Sequence, residues 1–389
     1  MFFFLLFGGF YLGATFSSYT IIKIIFLLIL AYKNKAKKKN LLYFILCFSL
    51  GLIINSLISY LSLEANFGIV VSSKNNYIIF QTIFKKYYVY IENNPYEVFD
   101  ILKIEGEIKS LDFTTYESQF DFNNYLNEKL VYNQIQMTSI KSYFLSFFRV
   151  KTIISSTLKI YDDNVRNILS TLLFNINSSK EYSTLIYDNN LGYYLSISSY
   201  HVYFFLSLIE KLLRIKLSEK NTSKILILTS YVFYIFSNYK ISLLKLFIYK
   251  ILVYKNERNK KLNRLDIICL TYFIIGIIDI SFLTSTSFLY SFPLNVLLYF
   301  SYEAMLKVKK RQRKWYYLAL INLYFIPLNY LNNQSFSVFS FLFSLLLNPL
   351  ILFIFVVGII SLFIPLHSLL IPCCKGLDLL LKIFNQINI

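Results

Sequence analysis

Histidine and cysteine are almost absent from this chain. Two histidines and four cysteines in 389 residues leave little from which to build a metal centre. His201 and His367 lie far apart in sequence, and Cys47, Cys269, Cys373 and Cys374 show no paired CxxC spacing. Cys373 and Cys374 are adjacent, and neighbouring cysteines do not normally bridge each other. No disulfide framework, metal or other cofactor is read. No Gly-x-x-x-x-Gly-Lys-Ser/Thr loop is present, so any ATP-driven motor must be a partner. Clustered acids for a membrane-surface transferase are also missing. Asp162 and Asp163 in "YDDNVRN" come nearest, and they read as solvated acids at a helix start. No internal repeat with paired broken helices points to a solute transporter. The apolar N-terminus lacks the basic start of a signal peptide, so retained segments are expected there. Only one Trp and ten Gly occur, against 39 Phe and 34 Tyr. That bias fits an AT-rich coding sequence, so a single Lys-for-Arg choice carries little weight.

What is abundant is apolar surface. The chain is 56% hydrophobic and 19% aromatic, with only 15% charged residues. Its apolar runs predict a polytopic, mainly α-helical membrane bundle. The net charge of +18 is gathered in "KNKAKKKN" (33–40), "KLLRIKLSEKNTSK" (211–224), "KNERNKKLNR" (255–264) and "KVKKRQRK" (307–314). These read as cytoplasmic loops. Crossings at 41–63, 190–210, 225–239, 241–254, 265–283, 287–306 and 315–331 would put all four clusters on one side. Segments near 225–254 and 336–349 are short and suggest re-entrant helices. Pro349, Pro365 and Pro372 divide the apolar tail.

Between 64 and 188 the pattern changes. "FGIVVSSKNNYIIFQTIFKKYYVYI" and "VFDILKIEGEIKSLDF" alternate as strands do, around a turn-like "ENNPYE". Gly106 suits a bulge or tight bend. A small five-stranded, OB-like barrel outside the cytoplasm is expected. Residues 139–188 read as amphipathic helices that either lie in the membrane interface or pack on the barrel. The resulting divisions are 1–63 (N-terminal transmembrane helices), 64–138 (barrel), 139–188 (amphipathic helices), 189–372 (transmembrane domain) and 373–389 (short amphipathic helix).

Lysines and aromatics interleave in the barrel region, a composition suited to single-stranded DNA: bases stack and phosphates pair. "KKYYVY" offers Lys85, Lys86, Tyr87, Tyr88 and Tyr90. Alternate aromatics must also fill the barrel core. In the apolar runs, His201 with Ser198 and Ser199, and Lys245 with Ser242, are polar groups at costly depth. Either they line a watery path or they hold helices together. Asp279 either lines the path or pairs with Lys245 or Lys250.

Several ordered patterns resemble the ComEC family of DNA-uptake channels. "YYLSISSYHV" is similar to the family's His-Leu-Leu-Ala-Ile-Ser-Gly-Leu-His-Val through Ile197, Ser198, His201 and Val202. Tyr193 and Ser199 stand where the family has His and Gly. "SFLYSF" is similar to Gly-Phe-Gln-Leu-Ser-Phe through Phe288, Ser291 and Phe292. Pro327, Ser337 and Pro349 keep the spacing of a third block, and Ser242 and Lys245 sit in a Ser-Val-Leu-Arg-Ala-like "ISLLKL". "SQFDFNNYL" resembles a signature near the end of the OB-like domain, through Phe120, Asp121, Phe122, Tyr125 and Leu126.

The resemblance implies a multi-pass plasma-membrane channel that moves single-stranded DNA inward during natural transformation. The barrel would contact DNA. His201, Ser198, Ser199, Ser242, Lys245, Asp279, Ser291 and Ser337 would line the path or pack its helices. No catalysis is implied, because the His-x-His-x-Asp-His nuclease motif of longer members is missing. Single-stranded DNA and membrane lipid are the implied partners. A separate nuclease, a DNA receptor and a cytoplasmic ATP-driven helicase would complete the system, and self-pairing into a homodimer is left open. The alternatives are a small-solute transporter, another polytopic subunit or a membrane-embedded transferase from an AT-rich genome.

Overall fold

The computed structural model describes residues 2–15, 38–60, 67–74, 76–82, 85–111, 122–146, 149–174, 176, 199–259, 261–309, 338–364 and 366–387, with isolated positions between 312 and 328. These divide into two compact units: Met1–Phe148 with Asn256–Tyr317, and Arg149–Lys255 with Leu318–Ile389.

The first unit begins with α1 (Phe2–Ala14) and α2 (Lys38–Tyr60). Their backbones approach closely where Gly13 faces Phe48 and Gly51 faces Phe10. A Cβ at either glycine would overlap the opposing carbonyl oxygen. Five strands follow: β1 (Phe67–Ser73), β2 (Tyr77–Gln81), β3 (Lys86–Tyr90), β4 (Ile101–Ser110) and β5 (Val131–Phe144), with α3 (Phe122–Glu128) before the last. They close into a barrel in the order β1-β2-β3-β5-β4. All neighbours are antiparallel except β3 and β5, which run parallel. Alternation decides which side chains go inside. Val70, Ile78, Phe80, Tyr87, Val89, Leu102, Ile104 and Ile135 fill the interior. Gly106 sits at a register shift between β4 and β5.

The same unit holds α9 (Arg264–Ile278), a 3-10 turn (Ile280–Thr284) and α10 (Thr286–Lys307). Phe7 and Tyr11 of α1 meet Phe288 at ring-centroid distances of 6.0 and 5.0 Å. Tyr272 meets Phe292 at 4.9 Å. Phe288 and Phe292, two residues of the "SFLYSF" pattern, thus lie in an aromatic cluster.

The second unit is helical among its described residues: α4 (Val150–Leu158), α5 (Asp163–Phe174), α6 (Ser199–Leu213), α7 (Glu219–Phe236), α8 (Ile241–Asn259, whose last four residues fall to the first unit), α11 (Val338–Ser361) and α12 (His367–Ile387). Val165, Ile168, Leu169, Leu172 and Leu173 of α5 join Val202, Leu206, Leu243, Leu246, Ile351, Ile354 and Phe355 in one core.

Three expectations are corrected. The first is the polytopic membrane bundle: among the described residues, no helix is long and apolar enough to cross a membrane. α1 has 13 residues, and α6 and α9 have 15 each. At 1.5 Å per residue they span about 20–23 Å, short of a hydrocarbon core of about 30 Å. α7 and α8, of 18 and 19 residues, carry charge: α7 contains Glu219, Lys220 and Lys224, and α8 contains Lys245, Lys250, Lys255 and Glu257. Apolar side chains of α5, α6, α8 and α11 pack on each other in a shared core. The second correction is that residues 139–144 are not helical. They continue β5, because pairing with β4 extends to Phe144 opposite Ile101. The third is that Pro349 and Pro372 do not divide the tail, since both lie inside helices, and α12 starts at His367; Pro365 lies outside the described residues.

Candidate nucleic-acid interface

The barrel carries two kinds of surface. Over β2 and β3 the outside is covered. Tyr77, Ile79 and Tyr88 point away from the barrel interior and pack beneath Phe122, Tyr125 and Leu126 of α3. Tyr88 meets Tyr77 at 5.2 Å and Phe122 at 5.7 Å. Phe122, Tyr125 and Leu126, the described part of the "SQFDFNNYL" pattern, therefore hold this helix on the sheet. Lys129 donates to the Tyr125 hydroxyl at 2.5 Å and lies 4.2 Å from the ring centroid. Burial pushes the Tyr125 phenol up, but the charges of Lys129 and Lys74 outweigh it and hold the phenol below its ordinary value. Burial pushes the Lys74 ammonium down.

The "KKYYVY" residues part company. Tyr87 is 2% exposed inside the barrel, and Tyr88 is 7% exposed under α3. Neither ring presents a face to a base. Tyr90 is exposed. Lys85 is half-buried in the β2–β3 turn, where its carbonyl accepts from the Thr82 N–H at 2.9 Å. Lys86 reaches the helical layer of its own unit. Its Nζ lies 2.7 Å from Asp279 Oδ1 and 2.8 Å from Ser281 Oγ. Asp279 Oδ1 also accepts from Ser281 N at 3.1 Å and Ser281 Oγ at 2.6 Å. A second link lies nearby in sequence: Thr284 Oγ1 donates to the Glu128 carbonyl at 2.9 Å, and the Glu128 carboxylate accepts from the Thr286 N–H. Asp279 thus pairs with a barrel lysine. Partner choice of this kind is a tertiary fact that no spacing rule announces.

Over β1, β4 and β5 no described element covers the outer surface. Phe67 stands beside Lys103, and Lys103 beside Lys141, in one cross-strand row. Tyr143 meets Phe67 edge-on at 5.4 Å, and both are 56% exposed. Phe67, Lys141 and Tyr143 escaped the sequence reading. Parity with the buried Val70 would have found Phe67, but Lys141 and Tyr143 lie beyond register shifts in β5 that alternation counted from Ile135 does not cross.

Residues expected to line a path are divided between the units. In the second unit His201 is 2% exposed, with its ring 5.6 Å from Phe355. Ser199, Ser242 and Lys245 are half-buried. The Ser242 hydroxyl is buried without a hydrogen-bond partner among the described residues. Lys250 Nζ lies 5.3 Å from the Tyr203 ring centroid. In the first unit Ser291 donates to its own helix at Ser287 O, 2.7 Å away. Ser198 and Ser337 lie outside the described residues, as do Ile197, Phe120 and Asp121. Among the described residues no group of three or more His, Cys, Asp or Glu could hold a metal ion.

The first unit thus holds a closed five-stranded barrel tied by an ion pair to helices of the same unit, with Lys141 and the rings of Phe67 and Tyr143 exposed on it. The competence protein family matches residues 178–388, more than half of the chain. The chain belongs to that family, whose members are the ComEC-type competence proteins. Neither a curated protein nor a solved structure matches it. Membership suggests a role in DNA uptake during natural transformation, and the matched domain is of a non-catalytic kind. It also suggests a place at the membrane, although no described helix is long and apolar enough to cross one.

Proposed function

We propose that this chain binds incoming single-stranded DNA during natural transformation and forms part of its route into the cell. The family match over residues 178–388 carries this reading. The barrel contacts the strand, because stacking rings and lysines on a small barrel suit unpaired bases and phosphates. His201, Ser199, Ser242 and Lys245 of the second unit border the route. The Ser242 hydroxyl, buried with no hydrogen-bond partner among the described residues, supports this, since an orphaned polar group in an apolar core is costly unless something polar visits it. The nuclease, the DNA receptor and the ATP-driven motor are separate partners.

The test is uptake of fluorescent DNA by competent cells of the source organism. Removing the chain should abolish internalisation while leaving surface binding of duplex DNA in place, and restoring it should return uptake. Uptake that persists without the chain would overturn the proposal. Lys245→Gln separates the parts: it should slow internalisation without lowering chain abundance.

A further inference from the structure

We infer that single-stranded DNA is held on the outer face of β1, β4 and β5, by stacking on Phe67 and Tyr143 with Lys141 as the phosphate contact. This rests on the proposed role in handling single-stranded DNA and names the surface that performs it. On five-stranded barrels of the OB type, oligonucleotides lie on the face of strands 2 and 3. Here that face is filled by the chain's own α3, packed on Tyr77, Ile79 and Tyr88. The β1–β4–β5 face carries no such cover among the described residues. Leu102 and Ile104 point inward, so Lys103 points out, and its cross-strand neighbours Phe67 and Lys141 share that face. Tyr143 sits at the register shift that follows Ser142, and its edge-on packing against Phe67 places it on this face. Two rings, each more than half exposed and set at 72° to each other, offer surfaces for two successive unstacked bases.

Charge makes the prediction sharper. Most lysines of the barrel are already engaged: Lys86 with Asp279, Lys103 with Glu105 at 2.6 Å, Lys109 with Glu107 at 3.4 Å, and Lys129 with Tyr125. Lys141 has no carboxylate partner among the described residues, and its Nζ lies 5.6 Å from the Tyr143 ring centroid. One free cation beside two rings gives binding dominated by stacking. Its salt dependence should be shallow, because each phosphate contact on a single strand contributes a slope of only about −0.7. An anionic bilayer would also meet lysines and aromatics, but Glu105, two residues from Lys103 on the same face, opposes a continuous anionic surface. A flexible strand can pass its phosphates on the Lys141 side.

The experiment is fluorescence anisotropy of a labelled oligothymidylate with the purified full chain over a salt series, with duplex DNA and anionic phospholipid vesicles in parallel. Phe67→Ala and Tyr143→Ala should each weaken binding by about 5- to 150-fold, the equivalent of one stacked base. Lys141→Gln should flatten the salt slope. Tyr132→Ala, which removes an exposed ring elsewhere on β5, should change nothing. Both stacking rings are exposed, so their loss should leave the folded chain unchanged in thermal unfolding. If the wild-type chain binds but Phe67→Ala and Tyr143→Ala bind equally well, this surface is wrong and the uptake reading stands. If the wild-type chain binds no single strand at any salt, the uptake reading falls and this surface with it. Vesicle binding lost in the two ring variants, with DNA binding intact, would assign the face to lipid instead.

Discussion

Lys86 and Asp279 are separated by 193 residues yet lie 2.7 Å apart, with side chains 12% and 26% exposed. The pair ties β3 to the turn after α9, and its removal can be worked residue by residue. Lys86→Met leaves Asp279 with two donors, Ser281 N and Ser281 Oγ, so the cost should be about 1–2 kcal/mol. Asp279→Ala is worse. It leaves the Lys86 ammonium, the less exposed of the two, with only the Ser281 hydroxyl, and it uncaps the 3-10 turn. Stranding a mostly buried charge costs about 3 kcal/mol or more. Once Asp279 is gone, losing Lys86 removes that stranded charge, so the double variant should cost less than the sum by about 2 kcal/mol. The assay is hydrogen exchange of the Tyr87–Tyr90 amides in the full chain, which reports the free energy of local opening at β3. Costs that add to within about 0.5 kcal/mol would refute the coupling, and with it the account of how the barrel is fixed to its helices.

Two further predictions follow from the barrel. The Asp100 carboxylate is fully buried and accepts from Glu97 N at 2.9 Å and Ser146 N at 2.6 Å, pinning the loop before β4 to the chain leaving β5. Asp100→Ala should lose about 3 kcal/mol, from two bonds to a charged acceptor, seen as faster exchange at Val70 and Phe99; unchanged protection there would exclude the role. Burial raises the Glu128 carboxyl, against the Thr286 N–H and Lys129, which favour its charged form. The folded state therefore holds the Glu128 proton more tightly than the unfolded chain. That contribution to stability is complete below the ordinary value of 4.5 and is lost as pH rises through the raised folded value. Melting temperatures of wild type and Glu128→Gln should diverge across that window, the wild type losing ground as pH rises, and parallel curves would count against it.

By itself the sequence determined the local pieces. Alternation of Leu102 and Ile104 with Lys103 marks a strand because a strand puts successive side chains on opposite faces, and the run of β-branched and aromatic residues at 77–80 marks another. The five-stranded barrel was legible from that pattern, and the competence family from the ordered blocks around His201, Phe288 and Pro349. The tertiary structure decided everything that depends on partners remote in sequence. Apolar runs read as crossings because hydropathy counts residues along the chain. What those residues pack against is set in three dimensions, where Phe7 meets Phe292 and Leu173 meets Gly358. Composition marked "KKYYVY" as a DNA face, but β3 lies between two layers. Tyr87 points into the barrel, Tyr88 goes beneath α3, and Lys86 is drawn to an aspartate that the chain brings back 193 residues later. A residue's parity on a strand can be read locally, but which of the two faces stays open depends on where α3 folds back, and only packing settles that.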